Sequence, residues 1–98
     1  MNSVEEVPDG VGGRAVRALH LDLERSRVVL DLEGMRLHFD GVVSSTLLGP
    51  WDGSRAHIEW IRLVHRDAGR LCFELRLQYE EVPRVYRLVC ARWKTERI

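Results

Sequence analysis

Apolar and polar residues alternate along most of this chain. Leu19, Leu21 and Leu23 alternate with Ala18, His20, Asp22 and Glu24; Val28, Leu30 and Leu32 follow, then Met35, Leu37 and Phe39. A longer run sets Leu71, Phe73, Leu75, Leu77 and Tyr79 against Cys72, Glu74, Arg76 and Gln78. Successive side chains of a strand point to opposite faces of its sheet, so a period of two marks half-buried strands. No segment carries a stripe of helical spacing. The pattern predicts an all-β fold with strands over about 15–24, 27–33, 35–43, 54–65, 70–79 and 84–94, and no major helix.

Residues directly opposed in an antiparallel hairpin share a face, which makes each register testable. With Arg25-Ser26 as a two-residue loop, Leu23 faces Val28, Leu21 faces Leu30, Leu19 faces Leu32, and His20 faces Asp31. With Glu33-Gly34 as the next loop, Leu32 faces Met35, Leu30 faces Leu37, Val28 faces Phe39, Asp31 faces Arg36 and Val29 faces His38. In the second half, Ala56, Ile58 and Trp60 are out of phase with Ile61 and Leu63, which requires a β-bulge near Trp60-Ile61. A turn at Asp67-Ala68-Gly69 then pairs Leu63 with Phe73, Ile61 with Leu75, Arg62 with Glu74, Ile58 with Leu77, Glu59 with Arg76 and His57 with Gln78. A loop over Glu80-Glu81-Val82-Pro83 pairs Leu77 with Tyr86, Leu75 with Leu88 and Phe73 with Cys90, but sets Arg76 against Arg87.

The chain thus reads as a flexible N-terminal arm over 1–13, rich in glycine, followed by a single β domain over 14–98. The domain consists of two antiparallel three-stranded meanders, about 14–40 and 54–95. Burying their two apolar faces against each other gives a small β-sandwich or a curved half-barrel. The connection "GVVSSTLLGPWDG" is apolar for a loop, with Val42, Val43, Leu47, Leu48 and Trp51. It either extends the third strand past a bend at Gly41 or plugs the open end of the core.

Composition narrows the function more than it identifies one. At 98 residues with 45% hydrophobic and 31% charged residues, the chain has the make-up of a soluble globular domain able to bury a core. Fifteen basic residues balance fifteen acidic ones, so no global charge points to nucleic acid or a membrane surface. Lys94 is the single lysine, a bias toward arginine that reads first as codon usage. The start "MNSVEEVPDG" has no basic segment followed by an apolar one, and no apolar run reaches membrane-spanning length, so a cytoplasmic location is expected. Cys72 and Cys90 fit no C-x-x-C spacing, and the register above sets them on opposite faces, which predicts free thiols.

Each histidine has an acid two places on: His20 and Asp22, His38 and Asp40, His57 and Glu59, His65 and Asp67. Imidazole and carboxylate together can ligate a divalent ion, but His20 and His38 fall two strand spacings apart, roughly 9–10 Å. No H-x-H, H-x-x-x-H or H-E-x-x-H supports coordination, so no metal or cofactor is expected and cross-strand charge pairing is the simpler use. Ser44, Ser45, Thr46 and Cys72 sit in no nucleophile motif, and no catalytic residue is assigned. Arg84, Arg87, Arg92, Lys94 and Arg97, interleaved with Tyr86 and Trp93, could stack bases and hold phosphates, or could guard a terminal edge strand. Trp60, in phase with Ile58, is expected in the core, and Trp51 is expected to cap it; a partly exposed Trp beside Arg would anchor an interface.

By elimination, the leading expectation is a non-enzymatic protein-binding module, acting as a subunit, an inhibitor or an immunity-type partner. Its partner is another protein or a second copy of itself. Candidate contacts are Trp51, His38, His57, Glu59, Trp60, Arg87, Arg92 and Trp93. The alternatives are a small-molecule-binding or catalytic half-barrel using His38 and His57, and nucleic-acid binding through the basic C-terminal strand.

Overall fold

A computed structural model describes residues 5–6, 10–46, 56–79 and 82–98. The elements are β1 (Glu5–Glu6), β2 (Val16–Asp22), β3 (Arg27–Leu32), β4 (Met35–Asp40), β5 (Ser44–Ser45), β6 (Ala56–Asp67), β7 (Arg70–Tyr79), β8 (Val82–Cys90) and β9 (Arg92–Arg97). They form a four-stranded antiparallel sheet in the order β2-β3-β4-β9 and a five-stranded one in the order β1-β6-β7-β8-β5. Among the described residues there is no helix, and so none long and apolar enough to cross a membrane. The alternation therefore reads correctly as all-β, and both meanders, β2-β3-β4 and β6-β7-β8, are present.

One core serves both sheets. Leu30, Leu32, Leu37 and Phe39 from the four-stranded sheet and Ile58, Phe73, Leu75, Leu77 and Leu88 from the five-stranded one are fully buried in a common cluster. Phe39 meets Phe73 edge-on across the sheets, with centroids 5.4 Å apart, and Phe73 meets Trp93 likewise at 5.7 Å. Such edge-to-face pairs contribute about 0.5–1.5 kcal/mol beyond the area they bury.

The sheets are joined where two segments of the chain turn together. The last strand expected over 84–94 is in fact broken at Ala91: β8 stays in the five-stranded sheet, and β9 crosses to pair with β4. The third strand bends at Gly41 in the same way, so that β5 pairs with β8 while β4 pairs with β9. From Asp40↔Arg92 to Ser44↔Val89 one segment advances four residues and the other three, the extra residue of a bent ladder. The Ala91 N–H donates to the Asp40 carbonyl at 3.0 Å and to the Gly41 carbonyl at 3.2 Å. Gly41 has φ +67°, and a Cβ there would lie 2.8 Å from the Ala91 Cβ. Only glycine meets both conditions.

A second junction lies at the segment read as a loose arm. Val11 is buried in the core. The Gly13 N–H donates to the Ile58 carbonyl at 2.7 Å, the Ile58 N–H to the Arg14 carbonyl at 2.9 Å, and the Glu33 N–H to the Ala15 carbonyl at 2.9 Å. Further upstream, Glu5 pairs with Leu63 and Glu6 with Arg62. The glycines that suggested looseness permit this close backbone approach instead.

The registers follow expectation where the turn is the predicted one. All six β3–β4 pairs fit the Glu33-Gly34 loop. In the β6–β7 hairpin the turn is the two residues Ala68-Gly69, with φ +48° and +78°, rather than three. A second bulge between Leu63 and His65 absorbs the difference, so Leu63↔Phe73, Ile61↔Leu75 and Arg62↔Glu74 hold. The other two hairpins are shifted by two residues. The first loop is the four residues 23–26, because the Asp22 carboxylate accepts the Arg25 N–H at 3.3 Å and Ser26 adopts φ +52°. Leu19 then faces Leu30, His20 faces Val29, and Leu23 is left 87% exposed. In the last hairpin Val82 and Pro83 belong to β8, so Leu75 faces Tyr86, Phe73 faces Leu88, and Arg87 meets Glu74 instead of Arg76. Trp51, Leu47, Leu48 and Glu80-Glu81, with the expectations placed on them, lie outside the described residues.

Cys72 and Cys90 are free thiols, as the spacing predicts, and Cys90 is fully buried. Burial pushes the Cys90 thiol up to about 11 from a value near 9, with the Asp40 carboxylate adding to the rise. Because the folded value is the higher, this contribution to stability is complete below pH 9 and is lost as pH rises toward 11. Urea midpoints measured across that window should fall, and fall less steeply in Cys90→Ala. Gly41→Ala should cost about 1–3 kcal/mol from overpacking and left-handed strain together, seen as a lower urea midpoint at unchanged slope.

Candidate functional site

The expected phase break is real and lies one residue earlier than read. Glu59 and Trp60 together oppose Arg76, with the register shift between Ile58 and Trp60. Ile58 and Ile61 both point into the core, so the bulge takes up the two residues between them. Trp60 is consequently not a core residue: it lies half-buried, outside the apolar cluster, with the Arg62 guanidinium 4.0 Å from the centre of its ring. Trp93, by contrast, packs against the core, edge-on to Phe73.

Around Trp60 the outer face of the five-stranded sheet carries an ordered charge pattern. Neighbouring rows read Trp60–Arg76–Val85 and Arg62–Glu74–Arg87 across β6, β7 and β8. Arg76 Nε lies 2.7 Å from Glu59 Oε2, and Arg87 Nε lies 3.0 Å from Glu74 Oε2. Val85 is exposed at the end of its row. His57, opposite Gln78, is exposed on the same face two residues before Glu59. The result is an aromatic ring under a guanidinium, flanked by two held arginines and an exposed valine.

The bulge is braced from behind. A Cβ on Gly12 would come within 2.9 Å of the Glu59 carbonyl oxygen, and the neighbouring Gly13 N–H bonds Ile58. The Gly12-Gly13 pair therefore holds the backbone that turns Trp60 outward. That signal was present in the sequence, but without the fold nothing connected "VGG" to a strand more than forty residues on.

The remaining candidates are separated from this face. His38 and Arg92 lie on the outer side of the four-stranded sheet, opposite Lys94 and Asp40 respectively. There His38 Nε2 is 3.3 Å from Glu96 Oε1, Arg36 Nη1 is 3.6 Å from the same oxygen, and Arg27 Nε is 2.6 Å from Asp40 Oδ1. The two-residue shift brings His20, Val29, His38 and Lys94 into one row, with Val29 between the two imidazoles. Among the described residues no three His, Cys, Asp or Glu side chains converge as a metal site. His38 and His57 thus face outward from different sheets and are not brought together.

The basic C-terminal stretch is likewise divided. Arg87 pairs with Glu74, the Arg84 guanidinium lies 5.6 Å from the Tyr79 ring, and the Tyr86 hydroxyl bonds that of Tyr79 at 3.2 Å. Tyr86 and Trp93 pack against the core cluster rather than forming a stacking platform beside the cations. A separate, mostly apolar cavity of about 300 Å³ lies where the β2–β3 turn meets residues 42–45, lined among others by Leu21, Val28, Val42 and Val43. Neither His38 nor His57 lines it.

Gly12→Ala should press on the Glu59 carbonyl, costing about 1–3 kcal/mol in a urea titration, and should redshift the emission of Trp60 as its surroundings loosen. The same fluorescence change should be absent in a Trp60→Phe background. No protein-family model matches the chain, and no curated protein or solved structure shows significant similarity to it.

Proposed function

We propose that the chain is a cytoplasmic, non-enzymatic protein-binding module, acting as a subunit, an inhibitor or an immunity-type partner, that meets its partner through the outer face of the five-stranded sheet. The observation that carries this reading is the outward placement of Trp60 by a bulge, with Arg62 laid over its ring. Tryptophan and arginine dominate the energetic centres of protein interfaces, because each offers large area at little conformational cost once held. Here both are held before any partner arrives. The ion pairs Glu59–Arg76 and Glu74–Arg87 restrict the surrounding cations in the same way. Free thiols at Cys72 and Cys90 suit a reducing compartment.

The test is affinity isolation from the native host with the wild-type chain and with Trp60→Ala, followed by titration of the recovered partner. Trp60→Ala is expected to weaken binding by 2 kcal/mol or so, roughly thirty-fold, with the melting temperature nearly unchanged because Trp60 is outside the core. Absence of any protein partner, or a partner held equally by both chains, would count against the reading.

A further inference from the structure

We propose that β9 is a homodimerisation edge: two copies of the chain join their four-stranded sheets by antiparallel pairing of Arg92–Arg97 about a two-fold axis through Thr95. This is independent of the face around Trp60, which belongs to the other sheet.

Among the described residues β9 pairs on one side only, with β4, and forms the end of its sheet. The direction of its free hydrogen-bonding groups follows from the ladder. The Ile98 N–H donates to the Gly34 carbonyl at 3.2 Å, and N–H and C=O groups of a strand alternate in direction from residue to residue. Arg92, Lys94 and Glu96 are therefore the residues directed toward β4. Trp93, Thr95 and Arg97 direct their backbone groups outward. Lys94, Thr95, Glu96 and Arg97 are all exposed, so this edge is open to solvent.

Antiparallel self-pairing that uses the outward groups must set odd-numbered residues opposite odd-numbered ones. Three central registers satisfy that condition, and the charges discriminate among them. Pairing Trp93 with Thr95 sets the two Lys94 side chains against each other, and pairing Thr95 with Arg97 opposes the two Glu96 side chains. Pairing Thr95 with itself sets Lys94 opposite Glu96 of the second copy, and Trp93 opposite Arg97, each twice. Opposite charges directly across a ladder attract and like charges repel, and a guanidinium beside an indole adds a cation–π contact. Glu96 already lies beside Arg36 and His38, so on the outer face the row extends as Asp31–Arg36–Glu96–Lys94 into the second copy. A charged edge strand ordinarily discourages pairing with strangers. This one is complementary to itself.

Sedimentation velocity of the full chain over a wide concentration range should show a monomer–dimer equilibrium. Thr95→Pro should abolish the dimer and leave a folded monomer, because the N–H it removes faces away from β4. Lys94→Glu leaves the backbone untouched and should weaken dimerisation about ten-fold by opposing like charges twice. The double exchange Lys94→Glu with Glu96→Lys should restore it, since the two-fold axis brings the swapped partners together again. A wild-type chain that stays monomeric at every concentration, a folded Thr95→Pro that still dimerises, or a dimer indifferent to Lys94→Glu would each overturn the proposal.

Discussion

The contact between Gly41 and Ala91 is the constraint on which the rest of the architecture depends. Two three-stranded meanders, each apolar on one face, have nothing in their own pairing that turns those faces toward each other. The turn is made where β4 passes into β5 and β8 into β9, side by side, with the Ala91 N–H bonded to the carbonyls of Asp40 and Gly41. Because both segments bend at the same level, their pairing survives the bend, and Phe39 is brought against Phe73. The close approach requires glycine at position 41, where any Cβ would press on that of Ala91.

Charge and core divide the labour unequally. An exposed ion pair contributes about 0.2–1 kcal/mol, whereas losing a buried phenylalanine costs about 3–5 kcal/mol. The pairs Arg27–Asp40, Arg76–Glu59 and Arg87–Glu74 therefore do little to hold the fold against unfolding. Their effect is on choice. In the β7–β8 hairpin two registers a pair of residues apart keep the same side chains inside, and the one adopted replaces an Arg76–Arg87 opposition with Glu74–Arg87. A preference of about 1 kcal/mol suffices when the core is nearly indifferent.

Trp60 and Trp93 show how a local irregularity exchanges a core residue for a surface one. By phase alone Trp60 belongs inside with Ile58, and Trp93 belongs to a charged edge. The bulge opposite Arg76 instead spends both Glu59 and Trp60 between two inward isoleucines, which leaves the indole outside under Arg62. The switch of β9 into the other sheet turns Trp93 in toward Phe73. Each change depends on contacts distant in sequence: Gly12 behind the bulge, and β4 beside β9.

What the chain determines by itself is parity within the two meanders: which residues of their antiparallel strands face inward, Trp60 excepted, and that a bulge must fall near Trp60. Alternation at period two carries that information directly, since one step out of phase would expose an entire row of leucines. Registers two residues apart preserve parity, so the pattern could not choose between the expected and observed pairings of Leu21 or Leu75. That choice fell to the Asp22–Arg25 turn bond and the Glu74–Arg87 pair. The crossing of β9, the seating of Val11 and the outward turn of Trp60 were decided only in three dimensions. They arise from close backbone approach at Gly41 and Gly12, a property of neighbours that no linear pattern records.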